Sequence, residues 1–276
     1  MLSGTYKGSA GTRDYKLFLP ATQPQQATPL TMPLVLMLHG CTQSPDDFAA
    51  GTRMNEAALA QGFAVLYPAQ SASANPQRCW QWFKHSHQKK RRGEPAILAG
   101  MVQEVAAKHG LDGSRMFVAG LSAGGAMAAI LGQTHAELFA AVGVHSGLAA
   151  GAAHDLPTAL AAMRSGASPD PANTVATPVI VFHGDADATV HAQNGQWLAA
   201  RGAVADSVQP VAATAPGGRS ATRSIYLKAD GGVAAEHWQI HGAGHAWAGG
   251  SAQGSYTDPA GPDATAEMLR FFLQHR

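Results

Sequence analysis

Short apolar runs rich in branched side chains alternate along this chain with longer alanine-rich segments, the order expected of a mostly parallel β-sheet covered by helices. Strands are predicted at 33–38 (PLVLML), 62–67 (GFAVLY), 115–119, 140–145 (AAVGVH) and 178–183 (PVIVFH). Residues 222–241 follow a different rule: TRSIYLK and AAEHWQIH alternate apolar and polar positions around Asp230-Gly231-Gly232, which predicts a hairpin. Helices fit at 52–61, 95–109, 123–133, 189–201 and 263–275, the last with Met268, Leu269, Phe271 and Phe272 on the side that would pack on the sheet. Residues 149–176 and 204–220 interrupt the alternation. Too polar for core and too short for domains, they read as surface excursions near the mouth of a site. The pattern predicts one α/β domain over residues 1–276, with helices on both faces of a mostly parallel sheet and a late β-hairpin.

Composition narrows the partners. With 46% hydrophobic residues the 276-residue chain can fill a substantial core, and a net charge of +1 with 13% charged residues gives no electrostatic reason to expect nucleic acid. The one basic run, Lys89-Lys90-Arg91-Arg92, has no interleaved aromatics and reads as a solvated loop. No apolar stretch approaches the roughly 20 residues that span a bilayer, and residues 1–15 lack the apolar region of a signal peptide. A soluble chain that binds no membrane and carries no leader of its own is expected. Two cysteines, Cys41 and Cys79, are too few for a zinc site and lie in no CxxC spacing, which leaves a disulfide or two free thiols.

Between the predicted strand ending at Ala119 and the helix beginning at Ala123 lie Gly120-Leu121-Ser122-Ala123-Gly124, the pattern of a nucleophile elbow. In a chain with 31 glycines GxSxG alone is weak, so the reading depends on partners. A serine hydroxyl needs a base, usually histidine, held in one tautomer by a carboxylate. Both follow Ser122 on loops after later strands: HGDADATV at 183–190 and GAGHAW at 242–247. In the first, Asp187 is favoured as the orienting acid over Asp185, which suits an Asx-type bond to the turn backbone. In the second, His245 is bracketed by glycines and small residues, whereas His39 and His183 end strands and read as structural. His237, His241 and His245 recur every four residues, but the strand pattern and the glycines before His245 break any helix that would make them metal ligands. The oxyanion donors are assigned to the backbone N–H groups of Ala123, after the nucleophile, and of Cys41, in the His39-Gly40-Cys41 loop after an early strand. Nucleophile, acid and base in this order define the α/β-hydrolase fold and call for no cofactor and no metal.

The chain resembles the esterases that include polyhydroxybutyrate depolymerases and feruloyl or acetylxylan esterases. The similarity is carried by LHGCTQSPDDFA (38–49), ANPQRCWQWF (74–83), GEPAILAGMV (93–102), GLDGSRMFVAGLSAGGAM (110–127), LFAAVGVHSGL (138–148), HGDADATV (183–190), GAGHAWAGG (242–250) and GPDATAEMLRFFL (261–273). It implies Ser122 as nucleophile, Asp187 as acid, His245 as base, a bridge between Cys41 and Cys79, and a secreted or periplasmic compartment, with a cytoplasmic one as the alternative. Trp80, Trp82 and Trp247 then stand as candidate walls of an acyl pocket. The substrate implied is a small or oligomeric ester: short hydroxyalkanoate (3-hydroxybutyrate) oligomers or polyester first, feruloyl or acetyl sugar esters as the alternative, and acyl transfer by the same triad as a further one. Soluble oligomers are expected over crystalline polymer, since no segment reads as a separate polymer-binding module.

Overall fold

Each of the five apolar runs forms a strand with every residue buried, and each lies within about two residues of its predicted place. The protein is represented by a computed structural model that describes residues 1–20, 31–167, 177–201, 204–211 and 218–275. In chain order the strands are β1 (Leu2–Gly8), β2 (Gly11–Phe18), β3 (Leu34–Leu38), β4 (Ala64–Pro68), β5 (Met116–Leu121), β6 (Ala141–His145), β7 (Val179–Gly184), β8 (Ala205–Val211), β9 (Ala221–Leu227) and β10 (Val233–Ile240). They form one ten-stranded sheet in the order β1-β2-β4-β3-β5-β6-β7-β10-β9-β8. From β4 through β10 the neighbours run parallel, with β3 between β4 and β5. The antiparallel pairs β1–β2 and β2–β4 close one side of the sheet, and β10–β9 and β9–β8 close the other.

The helices are α1 (Pro45–Thr52), α2 (Met54–Gln61), α3 (Gly93–His109), α4 (Ala123–Thr134), α5 (Leu156–Ser165), α6 (Gln193–Ala200) and α7 (Ala264–Phe272). They divide the core in two. Residues of α3 and α4 pack with Leu36, Val118, Val142 and Val181 on one face, and α1, α2 and α7 pack with Val35, Phe117, Ile180 and Trp238 on the other. Alternate residues of one strand thereby serve opposite cores. This is the α/β-hydrolase arrangement, and no helix among the described residues is long and apolar enough to cross a membrane.

Four expectations need correction. The predicted helix 52–61 is two helices, broken where Arg53 adopts a left-handed conformation (φ 56°); the first begins earlier, at a Ser44 cap followed by Pro45. The first helix residues expected at 189–192 belong instead to a turn built on Asp187, and α6 starts at Gln193. Within 149–176 lies α5, started by a capping box between Asp155 and Thr158; residues 168–176 lie outside the described set. Within 204–220 lies β8, which extends the sheet beyond β9, and residues 212–217 lie outside the described set.

Candidate active site

The elbow arises where β5 must turn into α4 without a connecting loop. Ser122 is the single residue between them and takes φ 58° and ψ −120°, a strained conformation for a residue with a side chain. Its neighbours can be nothing but glycine: a Cβ on Gly124 would strike the Leu38 carbonyl, and one on Gly120 would strike the Gly124 backbone. The Ser122 N–H donates to the His145 carbonyl at 2.9 Å, and its own carbonyl accepts the first helical bond from Ala126 at 2.9 Å.

Asp187 lies in the loop after β7. Its Oδ1 accepts the N–H groups of Thr189 (2.9 Å) and Val190 (2.8 Å), and its Oδ2 faces His245 Nδ1 at 2.7 Å. This fixes the proton of His245 on Nδ1 and leaves Nε2 as the basic nitrogen. Burial pushes the Asp187 carboxyl up, but bonds from His183, His245 and Val190 outweigh it and hold it far below the usual carboxylate range. Asp185 goes elsewhere, to His241 Nδ1 (3.0 Å) and the Gly242 N–H (2.7 Å). His237 is buried on β10. The three evenly spaced histidines therefore serve three separate environments.

No hydrogen bond joins Ser122 Oγ to His245 Nε2 among the described residues; in ligand-free triads this contact commonly tightens only with substrate. What ties the two loops is His145, which sequence reasoning missed. Its carbonyl holds the Ser122 N–H, and its ring Nε2 accepts the Ala248 N–H at 3.0 Å, three residues beyond His245. The ring lies between Trp247 and Phe182, and burial, with the neighbouring His183, lowers its pKa to about 3, so it remains a neutral acceptor. The only sequence signal was its position at the end of the strand following the elbow helix.

The His39-Gly40-Cys41 loop, where the second oxyanion donor is expected, follows β3. A Cβ on Gly40 would lie 3.7 Å from Ser122 Cβ, which places this loop against the elbow serine. Gln43, buried and also missed, holds it: Oε1 accepts the Gly40 N–H (2.9 Å) while Nε2 donates to Asp47 (2.9 Å) and the Ser255 carbonyl (3.1 Å). His39 receives the Gln70 N–H on Nε2 (3.1 Å), and its carbonyl receives the Trp80 indole N–H (3.1 Å). Burial lowers its pKa to about 4, which preserves that neutral acceptor. Cys41 is bonded to Cys79. Residues 79–81 are fixed in turn by Gln70, which donates to the Cys79 carbonyl at 3.0 Å, and by Glu94, which accepts the Gln81 N–H at 2.8 Å. Among the described residues neither the Cys41 N–H nor the Ala123 N–H has an acceptor.

The three tryptophans lie in the core. Trp80 and Trp247 are 0% and 1% exposed, and Trp82 is 5% exposed against Phe83. Trp247 belongs to a short strand, β11 (Trp247–Ala248), paired with β12 (Thr257–Asp258). Its indole donates to Thr265 Oγ1 at 3.1 Å and its ring meets Phe48 edge-on. The expectation that these rings form pocket walls is corrected for Trp80 and Trp247: rings enclosed on every side brace the loops from behind and offer no surface to a substrate.

Sheet order, elbow and the Asp187–His245 pair place the protein among the α/β-hydrolases. Within that class, the family model described as Esterase PHB depolymerase matches residues 13–214, and the chain belongs to this family. The match includes Ser122 and Asp187 and ends before His245. The chain is 28% identical over 235 residues to poly(3-hydroxyalkanoate) depolymerase C of Paucimonas lemoignei, covering 79% of this chain and 55% of that protein. It is 32% identical over 129 residues to feruloyl esterase B of Neurospora crassa, covering 45% of this chain and 43% of that protein. The chain thus spans about half the length of the curated relatives it matches. In fold it is similar to an acetyl xylan esterase from Aspergillus awamori, with a TM-score of 0.70 and 19% identity over 89% of this chain and 94% of that one.

Proposed function

We propose that residues 1–276 form the α/β domain of a serine carboxylic ester hydrolase that works through an acyl-enzyme. The observation that carries this is the Asp187–His245 bond of 2.7 Å, tied through His145 to an elbow serine held at φ 58° and ψ −120°. Ser122 Oγ attacks the ester carbonyl as His245 Nε2 takes its proton. The tetrahedral oxyanion is met by the unpaired N–H groups of Cys41 and Ala123, and the alcohol leaves with the proton from His245. Water activated by the same nitrogen then releases the acid, while Asp187 stabilises the imidazolium in both halves. Every side chain and N–H group in this scheme belongs to the chain itself.

The substrate class favoured is a short hydroxyalkanoate ester, supported by the family and by the depolymerase among its relatives. The feruloyl esterase relative and the acetyl xylan esterase fold neighbour support a second reading, esters of plant polysaccharides. An acceptor alcohol in place of water would make the same site an acyltransferase. The Cys41–Cys79 bond supports export to an oxidising compartment. Ser122→Ala assayed on p-nitrophenyl butyrate tests the reaction: activity is expected to vanish, and activity near that of the unsubstituted protein would overturn the reading. Parallel assays on hydroxybutyrate oligomers, methyl ferulate and acetylated xylan, with products analysed in the presence of an added alcohol, separate the substrates.

A further inference from the structure

His183, at the end of β7, is fully buried, and its ring spans the turn that carries Asp187. Its Nε2 lies 2.8 Å from the Val190 carbonyl and 3.4 Å from Asp187 Oδ2. Two oxygens at one nitrogen require a proton there. Nδ1 faces α6, where a Cβ on Gly195 would sit 2.8 Å from it, 3.1 Å from His183 Cβ and 3.1 Å from His237 Nε2. The φ of Gly195 lies outside the left-handed region, so its conformation is open to any residue. In a helix glycine is less favourable than alanine by about 1 kcal/mol, so its presence answers to space. That space is filled by the His183 ring.

We infer that His183 is a positioning residue for the acid: its Nε2, which bonds the Val190 carbonyl at 2.8 Å and lies 3.4 Å from Asp187 Oδ2, holds the carboxylate where it meets His245, and Gly195 is glycine to admit the ring. Asp187 Oδ2 then serves two imidazoles, His245 on the solvent side and His183 from below. The ionisable groups around His183 are Asp187, His145, His237 and His245. This inference rests on the reading of Asp187–His245 as the catalytic pair.

The test compares His183→Leu, His183→Gln and Gly195→Ala with the unsubstituted protein and with Ser122→Ala, reading kcat, KM and the pH profile on p-nitrophenyl butyrate together with the melting temperature. Loss of the Val190 bond and of the imidazole facing the Asp187 carboxylate predicts a fall in kcat of about tenfold to hundredfold in His183→Leu, with KM nearly unchanged. The acid limb of kcat/KM should move to higher pH, because a carboxylate released from one donor holds the His245 imidazolium more tightly. Gln presents an amide N–H near the place of Nε2, so His183→Gln should recover most of kcat and the original acid limb. Gly195→Ala should reproduce the defect more mildly by displacing the ring. Unchanged kcat and acid limb in His183→Leu would overturn the inference, as would His183→Gln falling as far as His183→Leu at equal melting temperature. If His183→Leu does not fold, an unchanged profile in Gly195→Ala overturns it. Were Ser122→Ala active, the serine reading would fail, independently of what the His183 variants do.

Discussion

Two Asp–His pairs bridge the same two loops. Asp187 meets His245 at 2.7 Å and Asp185 meets His241 at 3.0 Å. The second pair even ends in a hydroxyl, since His241 Nε2 lies 2.9 Å from Thr222 Oγ1. By hydrogen-bond pattern alone, the better-formed hydroxyl–imidazole–carboxylate chain is the exposed one. What separates them is their surroundings. The Asp187 and His245 side chains are 0% and 12% exposed, against 31% and 42% for Asp185 and His241. Thr222 stands within β9, paired with Gln239 of β10, whereas Ser122 occupies a strained one-residue turn beside two unpaired N–H groups. A triad becomes a site through the backbone around its hydroxyl and the absence of water around its carboxylate, and the three hydrogen-bonding side chains are the smaller part of it.

The sharpest way to break this comparison is to neutralise one acid. Asp187→Asn should lower kcat by about four powers of ten, because an amide can present its N–H to His245 and favour the wrong tautomer. Measured kcat on p-nitrophenyl butyrate within tenfold of the unsubstituted protein would move the acid's role away from Asp187. The next effect concerns the donors that Thr222 lacks. Gln43→Ala removes the acceptor that holds the Gly40 N–H and the link to Asp47 and Ser255. It should reduce kcat by about tenfold to hundredfold, less than the loss of an oxyanion donor outright, with KM little altered. An unchanged kcat would show that the loop is held by the disulfide and Trp80 alone.

The sequence made one half of this comparison legible and concealed the other. Continuous apolar runs announce β3 to β7, and glycines flanking Ser122 and His245 announce turns, because both signals are local. The hairpin β1–β2 was invisible: its polar positions outnumber its apolar ones and it lies at the sheet edge, so no periodic run rises above the background. His145 was invisible for another reason, since its role depends on its own carbonyl and on a bond to a residue 103 positions away. Gln43 likewise reaches Ser255 across 212 positions. Trp247 misled because nearness to His245 in sequence suggested a shared pocket, whereas β11 turns its ring inward between Phe48 and His145.

Acid should expose the burial contrast as a stability difference. His39 is lowered to about 4, and His145 and His237 to about 3, each chiefly by burial. A histidine whose folded pKa lies below its unfolded value of about 6.5 contributes stability that is complete above that pH and lost as pH falls towards the folded value. The melting temperature should therefore decline as pH is lowered from about 6.5 to about 4, each buried histidine contributing a slope of about 1.4 kcal/mol per pH unit. His237→Leu, which removes one such group away from the elbow, should flatten that decline; the same slope in the variant and the unsubstituted protein would show that these rings take up protons in the folded state.

The smallest effect belongs to the exposed pair, and its smallness is the point. Asp185→Asn removes the charge facing His241 while the amide oxygen can still accept the Gly242 N–H, so what is lost is the contact between the carboxylate and His241. An exposed pair of this kind is worth about 0–1 kcal/mol, and it is screened by salt, so the melting temperature should shift slightly and less at high ionic strength. Turnover on p-nitrophenyl butyrate should remain within about twofold of the unsubstituted protein, because nothing in the Ser122 environment depends on that charge. A loss of kcat approaching that of Asp187→Asn would collapse the comparison, for it would mean that the GAGH loop transmits the Asp185–His241 pair to His245 and that burial does not separate the two chains of contacts.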